Sequence, residues 1–292
     1  EMALTQSAVS RQIQALEEDV GVPLFLRHTR AVELTAAGMQ LLQAVAQALP
    51  RIDTAVRQIR QSAGRRQVTV TTFASFASMW LIPRLEAFQR EFADIDIRVD
   101  ASDVAVDLEV TDVDVAVRYA RAERMPPGAL RMFGESVTPM ASPWLLKSGP
   151  PLKQPTDVLG HTLIEAADAY TPHLEWLTWR RWLDTHGMAR AQPKRWLSFN
   201  YAYQMTQAAL SGQGIVLARP PLVAESLARG ELVEVFPATR LHSPMAYWLL
   251  LAPRSAQRPE VKAFADWLSA QAVATREVTG EGVDSDLVND LD

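Results

Sequence analysis

The stretch TQSAVSRQIQALE, residues 5–17, sets one apolar stripe against one polar face. Val9, Ile13 and Leu16, with Val20 just beyond, recur at the spacing of a single helical face. Thr5 is a helix-capping residue type, and Leu4 with Val9 stands at the spacing of a hydrophobic staple. Gly21 suits the position after the helix end. The opposite face carries Gln6, Ser7, Ser10, Arg11 and Gln14, with Ala8 among them. Such a face is either solvated or built to read something, and its neighbours decide which.

Working outward, GVPLF (21–25) leads into RHTRAVELT (27–35), a short basic segment of alternating character that predicts a two-stranded wing. Thr35 caps the next element. From Ala36 to about Ser62 the composition is rich in Ala, Gln and Leu, a strong helix former. Leu42, Leu49 and Val56 repeat every seventh residue, as do Val45, Ile52 and Ile59 at an offset of three. This seam predicts a coiled-coil-like dimer contact, the alternative being an amphipathic helix packed on its own domain. Pro50 lies inside the pattern and predicts a kink.

SAGRRQ (62–67) breaks the composition and reads as a hinge. Beyond it, strands are predicted at VTVTTF (68–73), DIRVDAS (96–102) and VDVAVRYA (113–120), and two more short ones at LRMFGES and VTPMASP. A helix disturbed by Pro83 follows the first strand. After the Pro-rich passage GPPLKQPTD (149–157), strands HTLIEA (161–166), WLSFN (196–200), IVLA (215–218) and LVEVF (232–236) alternate with helices, one of them spanning 173–187. Strands alternating with helices predict parallel or mixed α/β sheets, here two side-by-side lobes. MAYWLLLA (245–252) and the helix EVKAFADWLSAQAVA (260–274) close the fold on either lobe. The segment GEGVDSDLVNDLD, with five acids and no base, predicts a disordered tail.

At 292 residues the chain is long enough for two or three domains, and 48% hydrophobic content supports a sizeable core. With no cysteine, disulfides, thiolate metal sites and cysteine nucleophiles are excluded. The net charge of −5 divides unevenly, +2 over residues 1–66 and −7 over the rest. The basic excess is too small to identify a nucleic-acid binder by composition. No apolar run approaches a membrane span, and the N-terminus lacks the layout of a signal peptide, so a cytoplasmic protein with no membrane partner is expected. His28, His161, His173, His186 and His242 show no metal-ligand spacing. There is no G-x-S-x-G elbow, and the G-x-G of SGQGIVLA follows a helix and precedes a strand, the reverse of a dinucleotide-binding turn. Trp176, Trp179 and Trp182 have helical spacing and read as core or interface rather than as a stacking platform. No catalytic residue, metal or cofactor is expected.

TQSAVSRQIQALEEDVGVPLFLRHTRAVELTAAG resembles the second half of the winged helix-turn-helix of LysR-type transcriptional regulators. SMWLIPRLEAF and DVDVAVRYA resemble the subgroup of glycine-cleavage and β-lactamase-inducer regulators. The resemblance extends across essentially the whole chain. It implies a bacterial transcription factor, usually tetrameric, in which a winged helix-turn-helix N-terminus and a long linker helix precede an α/β, two-lobed, type-2 periplasmic-binding-protein-like effector domain. Members of the family begin earlier, with the first helix of the DNA-binding unit and most of the second. The expected divisions are 1–35 (partial DNA-binding domain), 36–64 (dimerisation helix), 65–278 (effector domain) and 279–292 (tail). One lobe is about 67–142 with 245–275, the other about 158–240.

On the DNA side, Gln6 can pair with adenine, Arg11 with guanine or phosphate, and the Ala8 methyl can meet thymine. Ser7, Ser10 and the helix N-terminus suit phosphate, and Gln14 extends the same face. In the wing, Arg27, His28 and Arg30 are placed to hold the backbone or minor groove. On the effector side, ligands in open α/β sheets sit beyond strand C-termini. There the first lobe supplies Thr72, Ser75, Phe76 and Ser78, and the second Phe199, Asn200 and Tyr201. Hydroxyls, an amide and helix N–H groups suit a small anion, an amino acid or other small carboxylate. Ser102 and Glu165, also near strand ends, suit an ammonium or hydroxyl. Ser75 and Asn200 read as helix caps too. A solute-binding protein, or an effector-binding dimer that does not grip DNA, is the alternative that shares the two-lobed part.

Overall fold

In the computed structural model the described residues are 6–27, 32–46, 49, 52, 66–104, 106–167 and 175–281, and the chain divides into two compact units, Glu1–Arg65 and Arg66–Asp292. In the first unit, helix α1 spans Gln6–Val20. It ends on Gly21, whose φ of 78° lies in the left-handed region open to glycine and whose N–H donates to the Glu17 carbonyl at 2.9 Å. The Glu17 carboxylate accepts from the N–H groups of Leu24 and Phe25 at 2.7 and 3.0 Å, fixing the turn. Strands β1 (Phe25–Arg27) and β2 (Val32–Leu34) form the expected antiparallel wing. Thr35 caps helix α2 (residues 36–46, with 49 and 52 also helical): its hydroxyl accepts from Gly38 N–H at 3.0 Å and donates to the Pro23 carbonyl at 2.8 Å. Leu4, Thr5, Pro50, Val56 and Ile59 lie outside the described residues.

The second unit carries a nine-stranded sheet ordered β4-β3-β5-β11-β6-β9-β7-β8, with β10 on β6. Strands β3 (Arg66–Thr72), β4 (Ile95–Ala101) and β5 (Val115–Ala120) run parallel at one end. Strands β7 (Thr162–Ala166), β8 (Arg195–Phe199) and β9 (Ile215–Ala218) run parallel at the other. Between them lie two long antiparallel strands, β6 (Leu130–Ala141) and β11 (Leu241–Leu251), and the two-residue β10 (Val233–Glu234). The two short strands expected at LRMFGES and VTPMASP are therefore one. Pro139 is tolerated inside it, where its carbonyl still accepts from Val235 at 2.9 Å.

Three apolar clusters flank the sheet. One gathers Val68, Phe76, Trp80, Phe133, Tyr247, Phe264 and Leu268 against the last helix, α8 (Pro259–Thr279). The others, around Trp179 and Trp182 and around Met140 and Met205, belong to the second lobe. Strand β6 supplies Phe133 to the first lobe and Val137, Met140 and Ala141 to the second, so it crosses between lobes. Three buried tryptophans find acceptors for their N–H groups: Trp80 at Thr275 (3.0 Å), Trp179 at the Ile164 carbonyl (2.9 Å) and Trp182 at the Thr239 carbonyl (3.0 Å).

Helix α3 comprises Ala74–Phe76 and Ile82–Glu91 joined by a π turn, Ala77–Leu81. The wide turn lets Ile82 N–H reach back five residues to the Ala77 carbonyl just before Pro83, whose ring and missing N–H rule out the regular ladder. The expected helix over 173–187 is shorter: a 3-10 turn, Glu175–Leu177, precedes α5 (Trp179–Thr185). Thr178 caps α5, its hydroxyl accepting from Arg181 N–H, and so starts the helix afresh. The remaining helices are α4 (Pro143–Ser148), α6 (Ala202–Leu210) and α7 (Pro220–Ala228). Helix α8 runs past the expected end, and Glu281 is held by Arg131 at 2.5 Å, so the segment expected to be disordered begins as ordered structure. Residues 282–292 lie outside the described residues.

Candidate functional site

On α1, Ser7, Ser10, Arg11 and Gln14 are exposed and Ala8 is half-buried. Gln14 donates to Glu18 at 3.3 Å. The first turn holds no acidic residue, so nothing there repels a phosphate from the helix N-terminus. Gln6 opens the helix and Arg27 closes β1; His28 and Arg30 lie outside the described residues. The apolar face of α1 is only partly covered: Val9 and Ile13 are half-buried, whereas Leu16 and Val20 are exposed. Along α2, Leu42, Val45, Leu49 and Ile52 are 50%, 40%, 54% and 56% exposed. No other described residue of the first unit buries this seam.

In the second unit a small, partly open cavity of about 40 Å³ lies where the lobes meet. Met79 of α3 and Leu222 of α7 face Ala166 of β7, Thr178, Ala202, Met205 and Thr206 of the second lobe. Arg219, between β9 and α7, is the one charged residue in the lining. Its Nε lies 3.7 Å from Glu135 Oε2, beyond hydrogen-bond length, and its guanidinium carbon stands 5.6 Å from the Tyr119 ring centre. Burial opposes the Arg219 charge, but Tyr247, Glu135 and Tyr119 outweigh it and hold the group protonated above its ordinary range. Glu135 is fully buried on β6. Burial pushes its carboxyl up to about 7, against the pull of Arg219 and of the Tyr247 hydroxyl, which donates to Oε2 at 2.5 Å. Glu135 Oε1 has no hydrogen-bond partner among the described residues.

The sequence-derived effector residues take varied places. Thr72 is buried at the end of β3, its hydroxyl without a partner among the described residues and its carbonyl accepting from Ser102 N–H at 2.7 Å. Phe76 is fully buried, stacked on Trp80 with ring centres 4.8 Å apart, and so serves the core of the first lobe. Ser75 is buried inside the first turn of α3 and is not its cap; Phe73 occupies that position. Ser78 faces outward. The Ser102 hydroxyl accepts from Val104 N–H at 3.2 Å, and half-buried Glu165 has its carboxyl pushed up by burial. Phe199 packs against the second-lobe core around Met140. Asn200 is exposed; Tyr201 takes the cap position of α6 and stacks on Tyr203 at 5.5 Å.

The cavity wall is thus made by chain neighbours of the expected residues: Met79 beside Ser78, Ala166 beside Glu165 and Ala202 beside Tyr201. Sequence reasoning located these elements but passed over Arg219, Thr178 and Thr206. The available signal was the strand–Arg–Pro–Pro junction IVLARPP, where a strand end meets a helix start.

The LysR substrate binding domain family matches residues 61–273, and the lysR family of bacterial regulatory helix-turn-helix proteins matches residues 1–39. The chain is 32% identical over 277 residues to the glycine cleavage system transcriptional activator of Escherichia coli (strain K12), covering 95% of this chain and 88% of that protein. It is 31% identical over 273 residues to the HTH-type transcriptional activator AmpR of Pseudomonas aeruginosa, covering 93% and 88%. Among solved structures, the effector domain of Pseudomonas aeruginosa AmpR aligns with a TM-score of 0.55 at 29% identity, over 74% of this chain and 98% of that one. Vibrio fischeri DarR, solved in complex with DNA, shares the fold with a TM-score of 0.67 at 18% identity, over 91% and 89%. The chain belongs to the LysR family of bacterial transcriptional regulators, joining a DNA-binding helix-turn-helix part to an effector-binding domain.

Proposed function

We propose that this regulator is controlled by a small carboxylate, such as an amino acid, bound in the cavity between the two lobes. The observation that carries this reading is Arg219: a mostly buried, protonated guanidinium in the wall of a cavity whose other lining residues are uncharged, with its nearest carboxylate at 3.7 Å. An anion reaching it gains a charge-assisted, bidentate contact that Glu135 does not complete. Thr178 and Thr206 bring hydroxyl-bearing side chains to the same wall, and the small, partly open space suits a carboxylate-sized group. Thermal-shift titration with a panel of amino acids and organic acids tests this. One class of small carboxylate is expected to raise the midpoint in the wild type and to lose that effect in Arg219→Gln. No shift across the panel overturns the reading.

The polar face of α1, with exposed Ser7, Ser10, Arg11 and Gln14 and with Gln6 and half-buried Ala8 beside them in the helix, is the surface that reads DNA bases, and the wing steadies it on the backbone. The uncovered seam of α2 pairs two copies of the chain. A cytoplasmic regulator without enzymatic activity is the reading that fits a DNA-reading helix joined to a ligand cavity. Among the described residues no helix is long and apolar enough to cross a membrane.

A further inference from the structure

The crossing strands β6 and β11 carry an irregularity midway between the lobes. Glu135 pairs with Ser243 and Gly134 with Ala246, so Pro244 and Met245 bulge out of the ladder. Strand β6 feeds the first lobe before this point with Met132 and Phe133, and the second after it with Val137 and Met140. A bulge loosens pairing and bends a strand. Gly134–Glu135 is thus the point at which β6 crosses from the core of the first lobe to those of the second, here termed the hinge.

This hinge is clamped from an unexpected source. Helix α8 ends on Gly280, left-handed at φ 73°, and the next residue turns its carboxylate onto β6. Both Glu281 oxygens accept from Gly134 N–H, each at 2.9 Å, and Arg131 holds Oε1 at 2.5 Å. The clamp closes tightly over Gly134: a Cβ there would stand 2.9 Å from an Arg131 nitrogen and 3.1 Å from Glu281 Oε1, so these side-chain ends would have to shift to admit one. Arg276 of α8 binds the Arg131 and Met132 carbonyls, and Arg240 donates to the Thr279 carbonyl at 3.4 Å. Beside the clamp opens a groove of about 490 Å³ that also holds Ser136, Arg240 and His242. The groove also reaches buried Glu135, whose Oε1 has no partner among the described residues and whose other oxygen faces Arg219 of the inter-lobe cavity.

We propose that Arg131 and Gly134 form a second carboxylate-binding site, distinct from the inter-lobe cavity, which clamps the hinge when occupied. Glu281 fills it in cis, and small carboxylates enter from the groove when Glu281 leaves. The site joins a guanidinium to a strand N–H offered at the bulge, the pair of donors a carboxylate requires. Occupation ties the end of the last helix to the point where the lobes bend. Coupling of this clamp to effector control rests on the function proposed above; the site itself does not.

The test is chemical rescue in the full chain. Glu281→Ala should leave the fold intact, since the residue lies beyond the C-cap of α8. Hydrogen exchange at the β6 amides Gly134 to Val137 is then read by mass spectrometry or NMR. Exchange at Gly134 is expected to quicken by about tenfold. Sodium acetate should restore slow exchange saturably, whereas sodium chloride at equal ionic strength should not. The double variant Arg131→Gln, Glu281→Ala should not respond to acetate. Unchanged exchange in Glu281→Ala, equal restoration by chloride, or acetate rescue without Arg131 would each overturn the site. Rescue by acetate together with a blank effector panel would sustain the site and overturn only the effector reading.

Discussion

Glu135 on β6 and Arg219 at the start of α7 face each other at 3.7 Å, with the Glu135 side chain fully buried and Arg219 17% exposed. The Tyr247 hydroxyl holds one oxygen of Glu135 at 2.5 Å, and the Tyr119 hydroxyl pairs with Ser243 at 3.0 Å nearby. One buried acid and one buried base thus join the strand that crosses the lobes to the cavity between them. In a low dielectric such a pair attracts strongly but is costly to desolvate.

The first prediction concerns pH. Glu135 titrates at about 7 in the folded chain against an ordinary 4.5. Between these values the native state holds a proton that the unfolded chain has lost. Stability therefore falls as pH rises through this window, is greatest below it, and levels off above about 7. The loss amounts to up to about 3 kcal/mol. Glu135→Gln, which mimics the protonated acid, should flatten the curve. Denaturant unfolding at a series of pH values checks this, and an unaltered slope in the variant would refute it.

Thr72 offers a second test. Its buried hydroxyl has no partner among the described residues, so replacing it with a methyl removes an uncompensated polar group. Thr72→Val should leave stability unchanged or raise it by up to about 1 kcal/mol. If the hydroxyl meets the effector, the same variant should weaken whatever carboxylate raises the melting midpoint of the wild type. A stability loss well beyond 1 kcal/mol would show a structural role instead.

The α2 seam separates pairing between chains from packing within one. Leu49→Glu places a charge at a side chain 54% exposed in the single chain. Sedimentation should show the assembly halved in mass, with thermal unfolding of the effector domain little changed. A stable wild-type monomer by the same measurement would exclude the dimer reading.

On the DNA side, Arg11→Ala should weaken operator binding and reduce the slope of log affinity against log salt by about one. Mobility-shift titrations across a salt series measure both quantities. Equal affinity and equal slope for the two proteins would remove Arg11 from the interface.

Local pattern carried much of the architecture. The wing, the Thr35 cap, the Gly21 helix end and the parallel strands at both ends of the sheet follow from turn residues and apolar periodicity, which act over a few residues. The two errors over β6 and α5 came from the same local view. A glycine and a proline in LRMFGESVTPMA look like breaks, yet partners on both sides hold this stretch as one strand. Over 173–187, apolar spacing suggested one helix, but Thr178 turns its hydroxyl to the Arg181 N–H and starts a new one. At the site, strand ends pointed to the right elements, whereas which side chains face the cavity depends on strand pairing and helix rotation. Phe76 is drawn into the first core by Trp80, Phe133 and Tyr247, all distant in sequence except Trp80.

By itself the sequence determined a helix with a polar face and its wing, an apolar heptad pattern, and two α/β lobes, because each is written in spacing of a few residues. Only the tertiary structure decided that Arg219 reaches the cavity wall, that Glu135 is buried against it, and that Glu281 returns 147 residues along the chain to Gly134. These meetings are set by strand order and burial, which no short stretch of sequence contains.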